Sequence, residues 1–235
     1  MSDMPSFPGF PVEGLEFLEG LAHNNNREWF EAHKADYRSF VLEPAQAFVV
    51  ALGERLKLLS PEIAYDTRTN GSGSIMRIYR DLRFSKDKTP YNANLRAVFW
   101  QGAGKKTENP GFFFGMDAHG AALYGGMHGF PKSVLTAYQE AVADDVRGAE
   151  LEAALETLRS AGVYEIGGER YKRVPRGYDP DHARADLLHY KGLHVRSPQI
   201  EAPVLTTPEL VEVCFEHCRA MAPLHHWLVG VNQAA

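Results

Sequence analysis

Between Ile63 and Gly125 the chain runs in short stretches of β-branched and aromatic residues, each closed by Gly, Pro or Asn. The segments on either side carry their apolar residues at helical spacing. That block order restricts the fold more than any other feature. Strands gathered in one stretch, with links too short for a crossover helix, pair as an antiparallel meander. The expected strands are Ile63–Asp66, Ser74–Tyr79, Asn94–Gln101, Gly111–Asp117 and Ala121–Gly125, with Leu193–Arg196 following late in the chain. Asp117-Ala118-His119-Gly120 is expected to turn the last two of the early strands into a hairpin. The fold class is therefore α+β: a mainly antiparallel sheet of about five to six strands with N-terminal, middle and C-terminal helices packed on it.

The helices follow from periodicity and punctuation. Val12–Leu21 places Leu15, Phe17, Leu18 and Leu21 on one side. Asn24-Asn25-Asn26 breaks that helix and caps the next, expected from Arg27 to Phe40 with Trp29, Phe30, His33 and Tyr37 along one side. Pro44 suits the first turn of a third helix that turns Phe48, Leu52, Leu56 and Leu59 inward. Later helices are expected over Pro131–Ala143 and Ala149–Ser160, and from Asp179-Pro180-Asp181 to Tyr190. Ala161–Arg173 reads as a small hairpin turning at Gly167-Gly168. A C-terminal helix over 207–228 starts at Thr207-Pro208-Glu209 and carries Pro223 as a possible bend. With no repeat and no low-complexity linker, the 235 residues read as a single domain.

Composition bounds the setting. Hydrophobic residues make up 44% of the chain, enough for a sizeable core. The two cysteines, Cys214 and Cys218, cannot form a disulfide framework. The first residues lack a basic start followed by an apolar run, and no apolar stretch approaches the roughly 18 residues that span a membrane. The expectation is a cytoplasmic protein with no membrane partner. A net charge of −5 argues against nucleic acid as a partner, since a basic footprint dominates that affinity.

The average hides an asymmetry. Residues 77–96 carry six Lys and Arg against two acids, and residues 168–196 carry seven against four, so the rest of the chain is strongly acidic. Within the first segment Arg77, Arg80, Arg83, Lys86 and Lys88 are interleaved with Asp81, Ser85, Asp87 and Thr89, and Pro90-Tyr91 fixes the exit. Guanidinium forks suit carboxylate and phosphate, and hydroxyls and turn N–H groups accompany them in anion sites. The second segment offers Lys172, Arg173 and Tyr178, with Lys172 and Arg173 expected to point opposite ways on an edge strand. Each basic segment could equally satisfy its own charges as a salt-bridged loop.

Other motifs carry less. Gly125-Gly126-Met127-His128-Gly129-Phe130-Pro131 leads from a strand into a helix without the spacing of a phosphate-binding loop, and reads as a tight structural turn. Cys214, His217 and Cys218 share a helix face but have no second ligand pair at finger spacing, so core packing is expected and no metal site. No nucleophile elbow is present, and the sequence names no catalytic residue and no cofactor.

Four runs follow one another in a single order: Asn24-Asn25-Asn26-Arg27-Glu28-Trp29-Phe30; Arg80-Asp81-x-Arg83-Phe84-Ser85-Lys86-Asp87-Lys88-Thr89-Pro90-Tyr91; Gly125-Gly126; and Lys172-Arg173-x-Pro175-x-Gly177-Tyr178-Asp179. With them the chain resembles a widespread bacterial and fungal family of conserved hypothetical proteins, a domain of unknown function. The likeness covers residues 7–200 and leaves out the C-terminal helix. Where the family has a third Gly in the turn after the hairpin, this chain has Met127. The resemblance implies that the motif positions matter in relatives, and supplies no substrate, cofactor or reaction.

The functional expectation is a site for an anionic small molecule bearing phosphate or carboxylate. Its residues are Arg77, Arg80, Asp81, Arg83, Ser85, Lys86, Asp87, Lys88 and Tyr91, joined by Lys172, Arg173 and Tyr178. The alternatives are an interaction protein that docks its basic segments on an acidic partner or RNA, and a purely structural salt-bridge network.

Overall fold

The computed structural model describes residues 6–83 and 85–235. Phe84, inside the basic motif, and the first five residues lie outside that range. The fold is α+β with an antiparallel sheet. Its strands are β1 (Leu95–Trp100), β2 (Gly111–Asp117), β3 (Gly120–Met127), β4 (Glu165–Gly167), β5 (Leu193–Arg196) and β6 (Ile200–Glu201). The sheet order is β1-β2-β3-β5-β4, and β6 also pairs with β3. The helices are α1 (Val12–His23), α2 (Arg27–Ala32), α3 (Lys34–Asp36), α4 (Glu43–Leu56), α5 (Lys132–Ala143), α6 (Asp145–Ser160), α7 (Ala185–Leu188), α8 (Ala202–Leu205) and α9 (Leu210–Gln233).

The chain gathers into two compact units. The first takes in the chain up to Phe99 together with Phe113–Ala122 and Gln199–Glu216. Its core is aromatic: Phe48 on α4 meets Phe7 at 5.4 Å and Phe114 on β2 at 4.5 Å between ring centres. Leu52 and Leu56, one and two turns after Phe48, are fully buried as their spacing requires. Phe17, Leu18 and Leu21 bury the inner face of α1.

The single helix expected from Arg27 to Phe40 is broken. It becomes α2, α3 and a π-helical turn, Tyr37–Leu42, that leads into α4. The Glu43 N–H reaches back five residues to the Arg38 carbonyl, which widens the turn. Gly14 of α1 packs against this wide turn, where a Cβ would collide with the Phe40 carbonyl. The π-helical stretch is only six residues long, too short for a change in hydrophobic period to reveal the switch.

Two expected strands are also irregular. Ile63–Asp66 and Ser74–Tyr79 form no named strand; the second makes isolated bridges, Ile75 with Ala97 and Tyr79 with Tyr91. Asp66 and Ser74 instead close a loop on each other, with the Ser74 N–H donating to the Asp66 carbonyl at 2.7 Å.

The second unit comprises Trp100–Phe112, Leu123–Pro198 and His217–Ala235. Asp144 caps α6 by accepting from the N–H groups of Val146 at 3.0 Å and Arg147 at 2.8 Å. Arg184, with only 11% of its side chain exposed, pairs with Glu152 at 3.0 Å. It also donates to the carbonyls of Val142, Asp144 and Asp145 at the end of α5, where a helix leaves acceptors free.

The hairpin expected at Gly167-Gly168 does not form. β4 pairs instead with β5, Ile166 opposite Val195, and the pairing continues outward as Arg170 bridges Tyr190. Non-local pairing thus wins over the local turn signal, and Gly168, at φ +151°, sits where a Cβ would meet the Gly192 carbonyl. The helix expected from Asp179 shrinks to α7, because the Asp179 carboxylate closes a local turn on the Asp181 N–H at 2.9 Å. α9 is longer at its end than the expected 207–228 and continues through Pro223 to Gln233.

His225 on α9 is fully buried; its Nε2 meets Gln101 Oε1 at 3.0 Å, while Nδ1 has no partner. Burial, and secondarily His226, holds its pKa down at about 4. The unfolded chain therefore takes up a proton near 6.5 that the folded chain refuses until about pH 4. Stability contributed by neutral His225 is complete above 6.5 and falls as pH drops towards 4, by up to roughly 3 kcal/mol. Urea midpoints measured across this window should lose that slope in His225→Gln.

Candidate functional site

The basic motif forms a closed loop within the first unit. Its neck is the antiparallel bridge between Tyr79 and Tyr91, flanked by Arg80 N–H to the Pro90 carbonyl at 2.9 Å and Asn92 N–H to the Ile78 carbonyl at 2.7 Å. That pattern makes Tyr79 and Tyr91 a non-hydrogen-bonded pair, so the N–H and C=O of Tyr91 point away from Tyr79. Among the described residues no strand lies there. The side-chain amide of Asn25, from the break before α2, takes the place of one: Nδ2 donates to the Tyr91 carbonyl and Oδ1 accepts from its N–H, both at 3.0 Å. Its neighbour Asn26 caps α2 by accepting from the Trp29 N–H at 2.9 Å. The three-asparagine run therefore does two jobs, and only the cap was legible in the sequence.

Aromatic rings fill the space beneath the neck. Tyr91 is buried and stacks on Phe30 of α2, with ring centres 4.2 Å apart and planes 19° apart. Tyr79 leans on Tyr91 at 5.3 Å but is 54% exposed. Exposure alternates along this stretch: Arg77 and Tyr79 are exposed while Ile78 is buried.

Inside the loop the charges largely answer one another. Arg80, 24% exposed, donates to the Asp87 carboxylate and the Thr89 hydroxyl, and to Ser85 Oγ at 3.3 Å. Asp87 in turn accepts from the Thr89 N–H at 2.9 Å. Arg83 forks onto Asp81 at 3.0 and 2.6 Å, and its own N–H donates to the same carboxylate. Lys88 Nζ caps the Leu82 carbonyl at 3.0 Å, and Arg77 Nε donates to the Asn70 carbonyl at 3.2 Å. Lys86 is exposed and has no acceptor among the described residues. Hydrogen bonds from Arg83 hold the Asp81 carboxyl down at about 2, and hydrogen bonds from Arg80 and then Thr89 hold Asp87 at about 2.

A cavity of about 500 Å³ lies in the same unit, lined by Lys34, Ala35, Tyr37, Arg38, Ser39 and Leu42, the wall formed by α3 and the π turn. The Arg38 guanidinium is exposed and has no acceptor among the described residues. Lys34 pairs with Glu31 at 3.0 Å, and that partner raises its pKa. The cavity neighbours the loop through aromatic contacts: Phe30 meets Tyr37 at 5.5 Å and Tyr79 at 6.0 Å. Burial, and then Tyr79, pushes the Tyr37 hydroxyl up to about 12, so it stays a hydrogen-bond donor across the physiological range. Sequence reading missed this cavity because Arg38 and Ser39 lie outside the two basic segments, in a stretch read only for its apolar side. Another half-buried cation, Arg96 on β1, lies opposite Met76, and burial lowers its pKa.

Lys172, Arg173 and Tyr178 belong to the second unit. Lys172 and Arg173 lie in a bend and are both exposed, so they do not alternate along a strand as expected. Tyr178 is half-buried, and burial followed by Glu140 raises its pKa. Near the end of β3, Gly126, at φ +132°, lies where a Cβ would strike the Leu193 carbonyl, which accounts for a glycine there by close approach of β5. His128 is exposed, its ring 5.6 Å from that of His194.

Cys214 and Cys218 are buried and form no disulfide, and burial pushes the Cys214 thiol up. Among the described residues no three His, Cys, Asp or Glu side chains converge as metal ligands, and no helix is long and apolar enough to cross a membrane.

A family model described as "Conserved hypothetical protein (DUF2461)" matches residues 13–227. The chain belongs to this family. The match reaches past the expected limit of 200 and takes in most of α9, so the C-terminal helix is part of the DUF2461 domain. No curated protein matches the chain.

Two measurements test the loop. Asn25→Ala leaves the buried N–H and C=O of Tyr91 without partners, and should cost about 1–3 kcal/mol in urea unfolding. Because Asp81 and Asp87 titrate near 2 when folded against about 3.9 unfolded, their ion pairs stabilise above pH 4 and are lost as pH falls towards 2. The double variant Asp81→Asn/Asp87→Asn should flatten the acid limb of stability in that window, and high salt should flatten it in the wild type.

Proposed function

We propose that this DUF2461 protein is cytoplasmic and binds an anionic small molecule, phosphate- or carboxylate-bearing, in the cavity beside the Tyr79–Tyr91 neck. The observation that carries the reading is the cavity wall. Arg38 faces about 500 Å³ of space with no carboxylate answering it among the described residues, and Lys34 and Ser39 stand beside it. Arg38 and Ser39 give this largely apolar wall a guanidinium fork and a hydroxyl as donors for anionic oxygens, while the Lys34 ammonium is shared with Glu31. The volume falls within the range of small-molecule sites, about 300–1,000 Å³. Of the motif cations, Arg77 and Lys86 are exposed and would add positive potential at the rim. Lys172, Arg173 and Tyr178 remain part of the proposal as a second basic surface. Buried cysteines that form no disulfide fit a reducing compartment.

A structural role for part of the motif is favoured by a separate observation. Arg80 spends its donors on Asp87, Thr89 and Ser85, and so acts as the staple of the loop rather than as a ligand group.

Thermal stabilisation by inorganic pyrophosphate, phosphate and citrate separates these roles. The wild type should show a saturable shift, and Arg38→Ala should weaken the apparent affinity about tenfold, as expected for the loss of one charge-assisted contact. Arg80→Ala should lower stability without ligand by about 1–2 kcal/mol. An unchanged anion response in Arg38→Ala would sink the cavity as the site.

A further inference from the structure

We propose that the ligand carries a flat unsaturated ring beside its anionic group, as a nucleoside diphosphate does, and that the exposed face of Tyr79 is where the ring lies. The inference rests on the anion-binding reading of the cavity and adds the class of molecule.

Tyr79 is unusual among the large side chains of the first unit. Its ring is 54% exposed, although its backbone is pinned on both sides by the hydrogen bonds that flank the bridge to Tyr91. It cannot turn inward, because the space below is already filled. Phe30 and Tyr91 lie stacked there, 1% and 3% exposed. Tyr79 rests on this pair at 5.3 Å from Tyr91 and 6.0 Å from Phe30, both at steep angles. The arrangement supports the ring from beneath and keeps its outer surface in water. A fixed aromatic surface beside cations is how proteins hold nucleobases, whose π-faces stack in a sequence-tolerant way.

The cavity supplies the other half of the ligand. Tyr37 lines it and is joined to Tyr79 through the Phe30 ring, 5.5 Å from the one and 6.0 Å from the other. A phosphate held by Arg38, Lys34 and Ser39 therefore leaves an attached ring within reach of Tyr79. A small aliphatic acid would fill the cavity and leave Tyr79 in solvent. The net charge of −5 favours a free nucleotide over a polymer.

Titration calorimetry of the full chain with pyrophosphate, ADP and a short oligoadenylate tests the assignment. ADP should bind about tenfold more tightly than pyrophosphate, a ratio that corresponds to one stacked base. Tyr79→Ala should remove that advantage and leave pyrophosphate affinity unchanged, while Tyr79→Phe should stay within about twofold of wild type for both. Equal affinities for ADP and pyrophosphate, or no effect of Tyr79→Ala, would overturn the ring while the anion site stands. Absence of binding by both small ligands would overturn the two readings together. Tighter binding of the oligoadenylate than of ADP would overturn the free nucleotide as the ligand.

Discussion

The amide of Asn25 is the contact on which the arrangement around the motif depends. A bridge of the Tyr79–Tyr91 type turns the backbone groups of Tyr91 outward, and a buried N–H and C=O cannot be left unanswered there. One side chain satisfies both at 3.0 Å. Because Asn25 adjoins Asn26, the cap of α2, the same contact fixes Phe30 against Tyr91 and brings α2 up to the neck of the loop. Phe30 then carries the connection onward to Tyr37 and the cavity wall. Helix start, loop neck and cavity are thus joined by one chain of contacts within the first unit.

Electrostatics divides the motif into two kinds of cation. Arg80, Arg83 and Lys88 have acceptors inside the loop, and the depressed carboxyls of Asp81 and Asp87 record the strength of those pairings. Charges already answered by partners have little attraction left for a ligand. Arg38 and Lys86 have no such partners among the described residues, and of these Arg38 faces a cavity. The basic motif therefore builds a rigid rim, and the strongest candidate for anion recognition lies on the π turn next to it. Arg184 in the second unit repeats the lesson, since a basic residue can be wholly occupied with the end of a helix.

Strong local signals carried over into the structure. The apolar spacing of α1, α4, α5 and α6 predicted those helices, and the aromatic runs bounded by Gly and Pro predicted β1, β2 and β3. The fold class follows from their order. Where one local signal competed with a distant partner, the distant partner won: Gly167-Gly168 offers a hairpin turn, yet β4 pairs with β5. The stretch between β5 and α9, for which no element was expected, holds β6 and α8, since Ile200 finds Ala121 across the sheet.

The sequence by itself determined the α+β class, the positions of its longest elements and the concentration of positive charge, because each is written in neighbouring residues. Only the tertiary structure decided which of those charges find acceptors. Whether a guanidinium is spent or free depends on which acceptor reaches it, and the acceptors of Arg80 and Arg184 are fixed by loop closure and helix ends. The widening of one helical turn at Tyr37–Leu42, which exposes Arg38 to a cavity, has no signature in the spacing of side chains. It arises from packing, where α1 brings Gly14 against the Phe40 carbonyl.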